Sequence, residues 1–371
     1  MGASLGFIPG FLATVLSEDL DISRGKIGLI VGIYFGATGI GSIPAGRFTD
    51  KFGARNVATI NMLLVAASSL LIAVFDTYAM WIAGSVVGGM GYALGNTSTN
   101  VAIGHTVPLE RRTLAMSVKT SGVPLMATIA AATAPWAANV WSWQRVLVFN
   151  AVVAAITGLF TYVVLDDDRS ESTRGAAPTP LPKDFYWFGI AAFLLIGGSQ
   201  PLYSWTVSYL EESLNAPASL SGGIMAIASF TGVIVMICNG VWADRLGALK
   251  RIPLVMLLLS VSALSVCLVI LGTVIGTFIV VIGLTLGVST QLAAIGTMHA
   301  AVIDKAPKSV GRATGITMTG YYLGALVTPA GFGLLVDISD TYIYSWLATL
   351  AILITAVGAW YRAGKIQAQR H

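Results

Sequence analysis

Two aspartates with matching neighbours are the residues whose chemistry the sequence marks most clearly. The stretch GRFTDKFG at 46–53 returns as GVWADRLG at 240–247. The two aspartates are 244 − 50 = 194 residues apart, about half of the 371-residue chain. A G-x-x-x-D-[KR]-x-G pattern arises by chance in a chain of this length with a frequency of roughly 10⁻². Two copies at matching places therefore indicate a duplicated chain that repeats one polar connection.

The glycines and the carboxylate of each copy have separate predicted roles. The first glycine is expected to end its helix where a side chain would obstruct a neighbouring helix. The aspartate is expected beside a helix N-terminus and basic side chains, where a carboxylate is favoured. The last glycine would allow a tight turn into the next helix. These residues are Gly46, Asp50 and Gly53, then Gly240, Asp244 and Gly247. The expected basic partners are Arg47, Lys51, Arg55, Arg112, Arg245 and Arg312.

Lys119 is a basic residue that stands apart from the polar connections. It follows Arg112 by 119 − 112 = 7 residues, which is about 10 Å into a helix at 1.5 Å per residue. A charge at that depth in a membrane costs several kcal/mol unless it faces water or a partner. Lys119 is therefore a candidate for substrate binding or gating. The alternative is that its long side chain extends back to the membrane surface.

A polar band is repeated in two apolar stretches. The sequence GNTSTNVAIG at 95–104 matches GVSTQLAAIG at 287–296, with 287 − 95 = 192. Asn96 and Asn100 are four residues apart and share a helix face. The predicted ligand contacts are Asn96, Asn100, Gln200, Tyr203, Gln291, Tyr321 and Tyr322, together with Lys119. The alternative reading is hydrogen bonding between helices, which such residues provide widely in membrane bundles.

Composition identifies the elements that must position these residues. The chain is 56% hydrophobic and only 10% charged, whereas soluble domains carry roughly 25% charged residues. Apolar runs of about 20 residues or more can cross a bilayer. Eleven such runs are predicted as segments 2 to 12, at 24–47, 54–75, 79–107, 111–138, 144–165, 185–210, 218–241, 251–271, 276–303, 311–336 and 341–361.

The first segment is shorter than the others. The run 1–16 is apolar but too brief to span, and the 194-residue offset pairs Met1 with Leu195. The equivalent segment begins near Phe185, so about ten residues are expected upstream of Met1 in the natural protein or its ancestor. A complete first helix built from other residues would refute this. The predicted domains are 1–165, a cytoplasmic linker at 166–184, and 185–371.

Charge predicts the orientation of the chain. If segment 1 exits outward, the inner loops and the C-terminal tail hold 17 Lys and Arg residues and the outer loops hold 3. Such an excess belongs on the cytoplasmic side. We therefore expect an integral multi-pass protein of the plasma membrane, the inner membrane in a bacterium, with both termini of the full-length protein cytoplasmic. The net charge of +4 follows from this topology, and no nucleic-acid-binding pattern accompanies it.

Two six-helix halves, a central inner linker and the paired loop motif resemble the major facilitator superfamily over the whole chain. The resemblance implies an all-α membrane protein of two pseudo-symmetric six-helix bundles, with helix 1 truncated here, and a substrate site near mid-membrane lined by segments 1, 4, 7 and 10. It also implies that each copy of the motif forms a cluster with its basic partners, and that the two motif clusters act as a cytoplasmic gate. Ala54 departs from the family pattern, which usually has a basic residue there, so the first cluster is expected to be weaker. The stretch SVKTSGVP at 117–124 is similar to one in organic-anion permeases, a shorter and weaker likeness.

The sequence also narrows the function. It has no G-x-x-x-x-G-K loop for ATP, no metal-ligand cluster and no nucleophile–base set, so we expect a transporter without a cofactor rather than an enzyme. The prediction is secondary active or facilitated transport of a small anionic or polar organic solute by alternating access, with H⁺ or Na⁺ as possible coupling ions. A monomer in the lipid bilayer is expected. The alternatives are an exporter of lipophilic compounds and a solute sensor that does not transport.

Overall fold

A computed structural model describes residues 2–22, 24–165 and 180–366. These residues form α-helices and short 3₁₀ turns with no strand among them, which confirms the predicted all-α class. The helices are α1 Ser4–Phe11, α2 Ala13–Asp19, α3 Arg24–Phe52, α4 Ala54–Phe75, α5 Tyr78–Thr106, α6 Arg112–Val140, α7 Trp143–Val164, α8 Tyr186–Ser204, α9 Thr206–Leu214, α10 Ala218–Leu246, α11 Ala248–Ile275, α12 Thr277–Lys305, α13 Val310–Ser339 and α14 Ile343–Gly364.

Nine helices of the described residues are long and apolar enough to cross a membrane by length and composition. They are α3, α4, α7, α8 and α10 to α14. Helices α5 and α6 have 29 residues each and equal many of these spans in length. Most of the predicted linker, residues 166–179, lies outside the described part of the chain.

Segments 1 and 7 were each predicted as one helix, and the structure corrects both. Segment 1 forms α1 and α2 around Leu12, and segment 7 forms α8 and α9 around Trp205. Pro9 lies inside α1 and Pro201 inside α8. A proline removes one backbone donor from its helix, and the two breaks follow Pro9 and Pro201 by three and four residues.

The first glycine of each motif does not end its helix, contrary to the prediction. Helix α3 continues from Gly46 to Phe52, and α10 continues from Gly240 to Leu246. The residues between have no helix breaker, so the helix propagates through the charged turn. It ends where the last glycine adopts a positive φ, 83° at Gly53 and 82° at Gly247. That conformation suits glycine, and the predicted tight turns are confirmed.

The chain divides into two compact units whose residue ranges differ from those of the predicted halves. Unit 1 comprises Met1–Thr106, Gly122–Pro180 and Lys308–Thr319. Unit 2 comprises Val107–Ser121, Leu181–Pro307 and Gly320–His371. Each unit therefore includes the first turns of one helix from the other side of the linker, α13 in unit 1 and α6 in unit 2.

Unit 1 is built around α3, α4, α5 and α7. Helix α3 packs on α5, and α4 packs on both α5 and α7. Leu5, Leu12 and Leu16 of the first segment are buried against Tyr34 of α3 in one apolar cluster. The Tyr34 hydroxyl donates to the carbonyl of Gly2 at 2.6 Å, which ties the start of the chain to α3.

Unit 2 is built around α12, whose residues from Gly287 to Ile303 are buried. Helix α12 packs on α10 and α11, and α14 packs on α8 and α11. Lipid offers no hydrophobic driving force between helices, so close packing and polar contacts must hold such a bundle. Asn239 of α10 supplies one, because its Nδ2 donates to Ala293 O at 3.1 Å and to Thr297 Oγ1 at 2.7 Å.

Candidate functional site

Asp50 lies at the N-terminus of α13 within unit 1. Its carboxylate accepts the backbone N–H of Gly311 at 2.9 Å and that of Arg312 at 3.1 Å. Both donors belong to the first turn of a helix, where N–H groups have no partner inside the helix and a negative charge is favoured. Gly46 permits this approach, since a Cβ there would lie 2.2 Å from Gly311 O.

Asp244 repeats this arrangement at the N-terminus of α6 within unit 2. Its two oxygens accept the backbone N–H groups of Thr113 and Leu114, each at 2.9 Å. A Cβ at Gly240 would lie 2.8 Å from Ser117 Oγ and 3.0 Å from Leu114 Cα. The predicted geometry, a carboxylate at a helix N-terminus beside a glycine that a side chain would block, is thus present in both copies.

The second cluster also has buried ion pairs that were not predicted. Arg251 of α11 is fully buried, and its Nη2 donates to Asp244 Oδ1 at 2.8 Å. Its Nη1 pairs with Asp304 of α12, and its Nη2 also contacts the carbonyl of Leu109. Arg112 donates to Asp304 Oδ1 at 2.7 Å. Two arginines and two aspartates therefore form one neutral cluster that joins α6, α10, α11 and α12.

The sequence contains a signal that could have revealed this cluster. Subtracting 194 from Arg251 gives Val57, which is buried in α4, so the two halves differ in charge at this position. The prediction that the first cluster is weaker, argued from Ala54, stays a prediction.

The six predicted basic partners differ in their surroundings. Arg112 pairs with Asp304. Arg312 lies beside Asp50, to which it donates through its backbone. The guanidinium of Arg55 lies over the Tyr162 ring, and the ammonium of Lys51 over the Phe52 ring. Side chains exposed to solvent or lipid are Arg47, Lys51 and Arg245.

Lys119 lies in unit 2, where α6 meets α12. Ser117 fits against Gly296, since a Cβ at Gly296 would lie 2.4 Å from Ser117 Oγ. Lys119, partly buried, follows two residues later, within electrostatic range of His299. His299 is 5% exposed and was not among the predicted site residues. Because His299 and Lys119 come from opposite sides of the linker, no local pattern in the sequence connects them.

Two of the predicted ligand contacts meet in unit 2. Gln291 Nε2 donates to Gln200 Oε1 at 3.1 Å, which joins α12 to α8. Gln200 and Tyr203 are partly buried. Tyr321 and Tyr322 of α13 form an edge-to-face pair with ring centroids 5.2 Å apart.

The two asparagines belong to unit 1 and are both buried, Asn96 at 8% and Asn100 at 1% exposure. Asn96 Nδ2 donates to the sulfur of Met318 at 3.2 Å, a contact between α5 and α13. That contact fits the alternative of hydrogen bonding between helices. The structure therefore places six of the eight predicted ligand residues in unit 2, and these two in unit 1.

Comparison with known proteins finds a matching family and several relatives. The profile of the family described as Major Facilitator Superfamily matches residues 1–329. The chain is 22% identical over 376 residues to the "Nitrite extrusion protein" of Bacillus subtilis, covering 95% of this chain and 91% of that protein. It is 21% identical to the "Probable sulfoacetate transporter SauU" of Cupriavidus necator, covering 94% and 86%.

A solved structure gives the same fold. The proton:xylose symporter XylE, bound to 6-bromo-6-deoxy-D-glucose, superimposes with a TM-score of 0.80 at 12% identity, covering 97% of this chain and 93% of XylE. At that identity the likeness concerns the fold alone. It agrees with the predicted twelve-helix arrangement and with an integral membrane protein that has several spans.

Proposed function

Because the chain belongs to the major facilitator superfamily, we propose that it is a secondary transporter that carries a small anion across the membrane by alternating access. Membership of this family and the transporter relatives point to a transporter rather than an enzyme. Beyond this, we propose that the substrate is negatively charged, that Lys119 binds it, and that opening of the motif clusters releases it.

The observation that carries the proposal is the position of Lys119. It is a basic residue inside unit 2, two residues after Ser117, where α6 is packed against α12. Arg112 and Arg251 pair with Asp244 and Asp304. An anion that reaches Lys119 interacts with it in a region of low dielectric constant, where an ionic contact is stronger than in water.

The named relatives support the same class of substrate. Nitrite and sulfoacetate, in the names of two relatives of which this chain covers most of the length, are both anions. Identities of 21% and 22% do not carry over a particular substrate. The two named substrates favour an anion over a cationic or neutral solute for this chain.

The two motif clusters supply the proposed gate. Asp50 holds the first turn of α13, and Asp244 holds the first turn of α6. Each contact links a motif on one side of the chain to a helix on the other side of the linker. We assign these contacts to one state of the transport cycle, with their loss in the other state, at the predicted cytoplasmic ends of the helices.

Uptake into proteoliposomes tests the proposal. Purified protein is reconstituted, and entry of labelled nitrite, sulfoacetate and benzoate is measured for the wild type, Lys119→Ala and Lys119→Arg. A hydrogen-bonded ionic contact contributes about 1.5–3 kcal/mol, so Lys119→Ala should reduce transport of the accepted anion roughly 10- to 100-fold. Lys119→Arg keeps the charge and should keep most of the transport.

The other candidate functions give different results in the same assay. Efflux of hydrophobic dyes without flux of any anion would replace the proposal with an exporter of lipophilic compounds. Anion binding without flux or counterflow would indicate a sensor. Equal anion flux in the wild type and in Lys119→Ala would remove Lys119 from the site.

A further inference from the structure

The amide pair of Gln200 and Gln291 lies deep in unit 2. Gln291 is the midpoint of α12, which has 29 residues from Thr277 to Lys305. Each end of the helix is therefore about 21 Å away along its axis. The pair is placed near the middle of a membrane span, where polar side chains are rare and tend to be functional.

One atom of this pair has an unused hydrogen-bonding capacity. Gln291 is 3% exposed, and its Nε2 donates to Gln200 Oε1. Its Oε1 is buried and accepts no hydrogen bond among the described residues. An amide oxygen can accept two hydrogen bonds, and leaving a buried acceptor empty is unfavourable. The missing partner must be a donor.

The pair is connected to the surface of the unit. Gln200 is partly buried, and its Nε2 lies 3.4 Å from the hydroxyl of Ser204, which is exposed. Ser204 and Gln200 therefore form a polar route from the surface to Gln291. A ligand that displaces the Gln200 side chain would reach the empty acceptor.

The face of α12 that bears Gln291 continues to the proposed anion site. Gln291, Ile295 and His299 recur at every fourth residue and share one face. Gln291 and His299 are two such steps apart, about 12 Å along the axis. Lys119 follows Ser117, which packs against Gly296 of α12, by two residues. This face of α12 thus carries an acceptor and an apolar residue, and Lys119 lies on α6, which packs against α12 at Gly296.

We infer that the substrate is an organic anion with an O–H or N–H donor at the end remote from its charge. Its anionic group lies at Lys119, its carbon chain passes Ile295, and its donor binds Gln291 Oε1. This inference rests on the proposed anion transport and narrows its substrate to hydroxy or amino acids of moderate length.

Matched pairs of ligands test it. We would measure the binding of butyrate against 4-hydroxybutyrate and of hexanoate against 6-hydroxyhexanoate to the purified protein by calorimetry. A site with a buried acceptor rejects an analogue that lacks the donor. At the better chain length the hydroxy acid should bind roughly 10- to 100-fold more tightly than the plain acid. Gln291→Met should reduce this ratio to about 1 and leave the affinity for the plain acid within a few-fold.

Thr290→Val is the matched control. Thr290 precedes Gln291 but faces α11, where its hydroxyl is 2.7 Å from that of Ser262. Its removal should leave the ratio unchanged. A persistent preference for the hydroxy acid in Gln291→Met would overturn the inference.

Binding of the four acids to the wild type also tests the inference by itself, whether or not the variants fold. Equal binding of both acids to the wild type would refute the donor inference and leave the proposed anion transport standing. No binding of any of the four acids, together with no flux of the anions named above, would refute both.

Discussion

Replacing Gly46 with alanine tests the contact between α3 and α13 directly. An ideal Cβ at Gly46 would lie 2.2 Å from Gly311 O and 2.8 Å from Gly311 C, whereas ordinary contacts begin at 3.4 Å. Both distances are therefore shorter than the contacts that real Cβ atoms make. Both obstructing atoms are backbone, so no side chain can rotate away, and the two helices must move apart.

The free-energy change follows from this displacement. Moving α13 by about 1 Å stretches the hydrogen bonds from Gly311 and Arg312 to Asp50, now 2.9 and 3.1 Å, beyond their useful range. Overpacking costs about 1–3 kcal/mol and the lost helix cap about 1 kcal/mol. Alanine gains about 1 kcal/mol over glycine in a helix. We expect Gly46→Ala to lower the free energy of unfolding by about 1–3 kcal/mol.

Gly28→Ala is the control in the same helix. A Cβ at Gly28 would have nothing within 4 Å, so this change should be neutral or stabilising by up to about 1 kcal/mol. Thermal unfolding of both variants in detergent, followed by tryptophan fluorescence, measures the difference, and proteoliposome uptake measures its effect on transport. If Gly46→Ala is as stable as Gly28→Ala, the close helix contact does not exist.

Two further predictions concern polar contacts. Asp304→Asn leaves the buried Arg251 without one of its carboxylates and should destabilise the protein by about 3–5 kcal/mol, whereas Asp50→Asn should cost about 1 kcal/mol; equal losses in thermal unfolding would contradict this asymmetry. Burial and a 2.7 Å hydrogen bond to Glu212 raise the pKa of Tyr342 above its ordinary value near 10. The stability gained from this shift is present below about pH 10 and is lost as the pH rises through the raised pKa. The wild type should therefore lose stability relative to Tyr342→Phe above about pH 10. If the stabilities of the two proteins change in parallel from about pH 9 to about 11.5, this reasoning is refuted.

The repeated motif and the helical class were open to prediction because both are local. A membrane span must satisfy its backbone hydrogen bonds within itself, so apolar runs of sufficient length are helices. Gly53 and Gly247 were predicted as turns from their position alone, and both have a positive φ. The prediction that Gly46 and Gly240 end their helices was wrong, because no helix breaker follows them before Gly53 and Gly247, whereas the predicted obstruction by a neighbouring helix is present at both.

The candidate site depended more on contacts that are distant in the chain. Gln200 and Gln291 were proposed separately as polar residues of segments 7 and 10, and the structure brings them together. His299 has no visible partner nearby in the sequence, so its surroundings there indicate only a packed histidine. Its neighbour Lys119 lies on another helix, which no periodicity reveals.

The sequence by itself determined that this protein is a duplicated bundle of membrane helices with a charged turn at matching places in its two copies. Those features follow from composition, spacing and the demands of the bilayer on each helix. Only the tertiary structure decided that Arg251, fully buried, joins Asp244 to Asp304, and that no group in the described part of the chain donates to the buried Gln291 Oε1. Such pairings depend on the angle and distance at which helices cross, and those are set by packing between residues far apart in the chain.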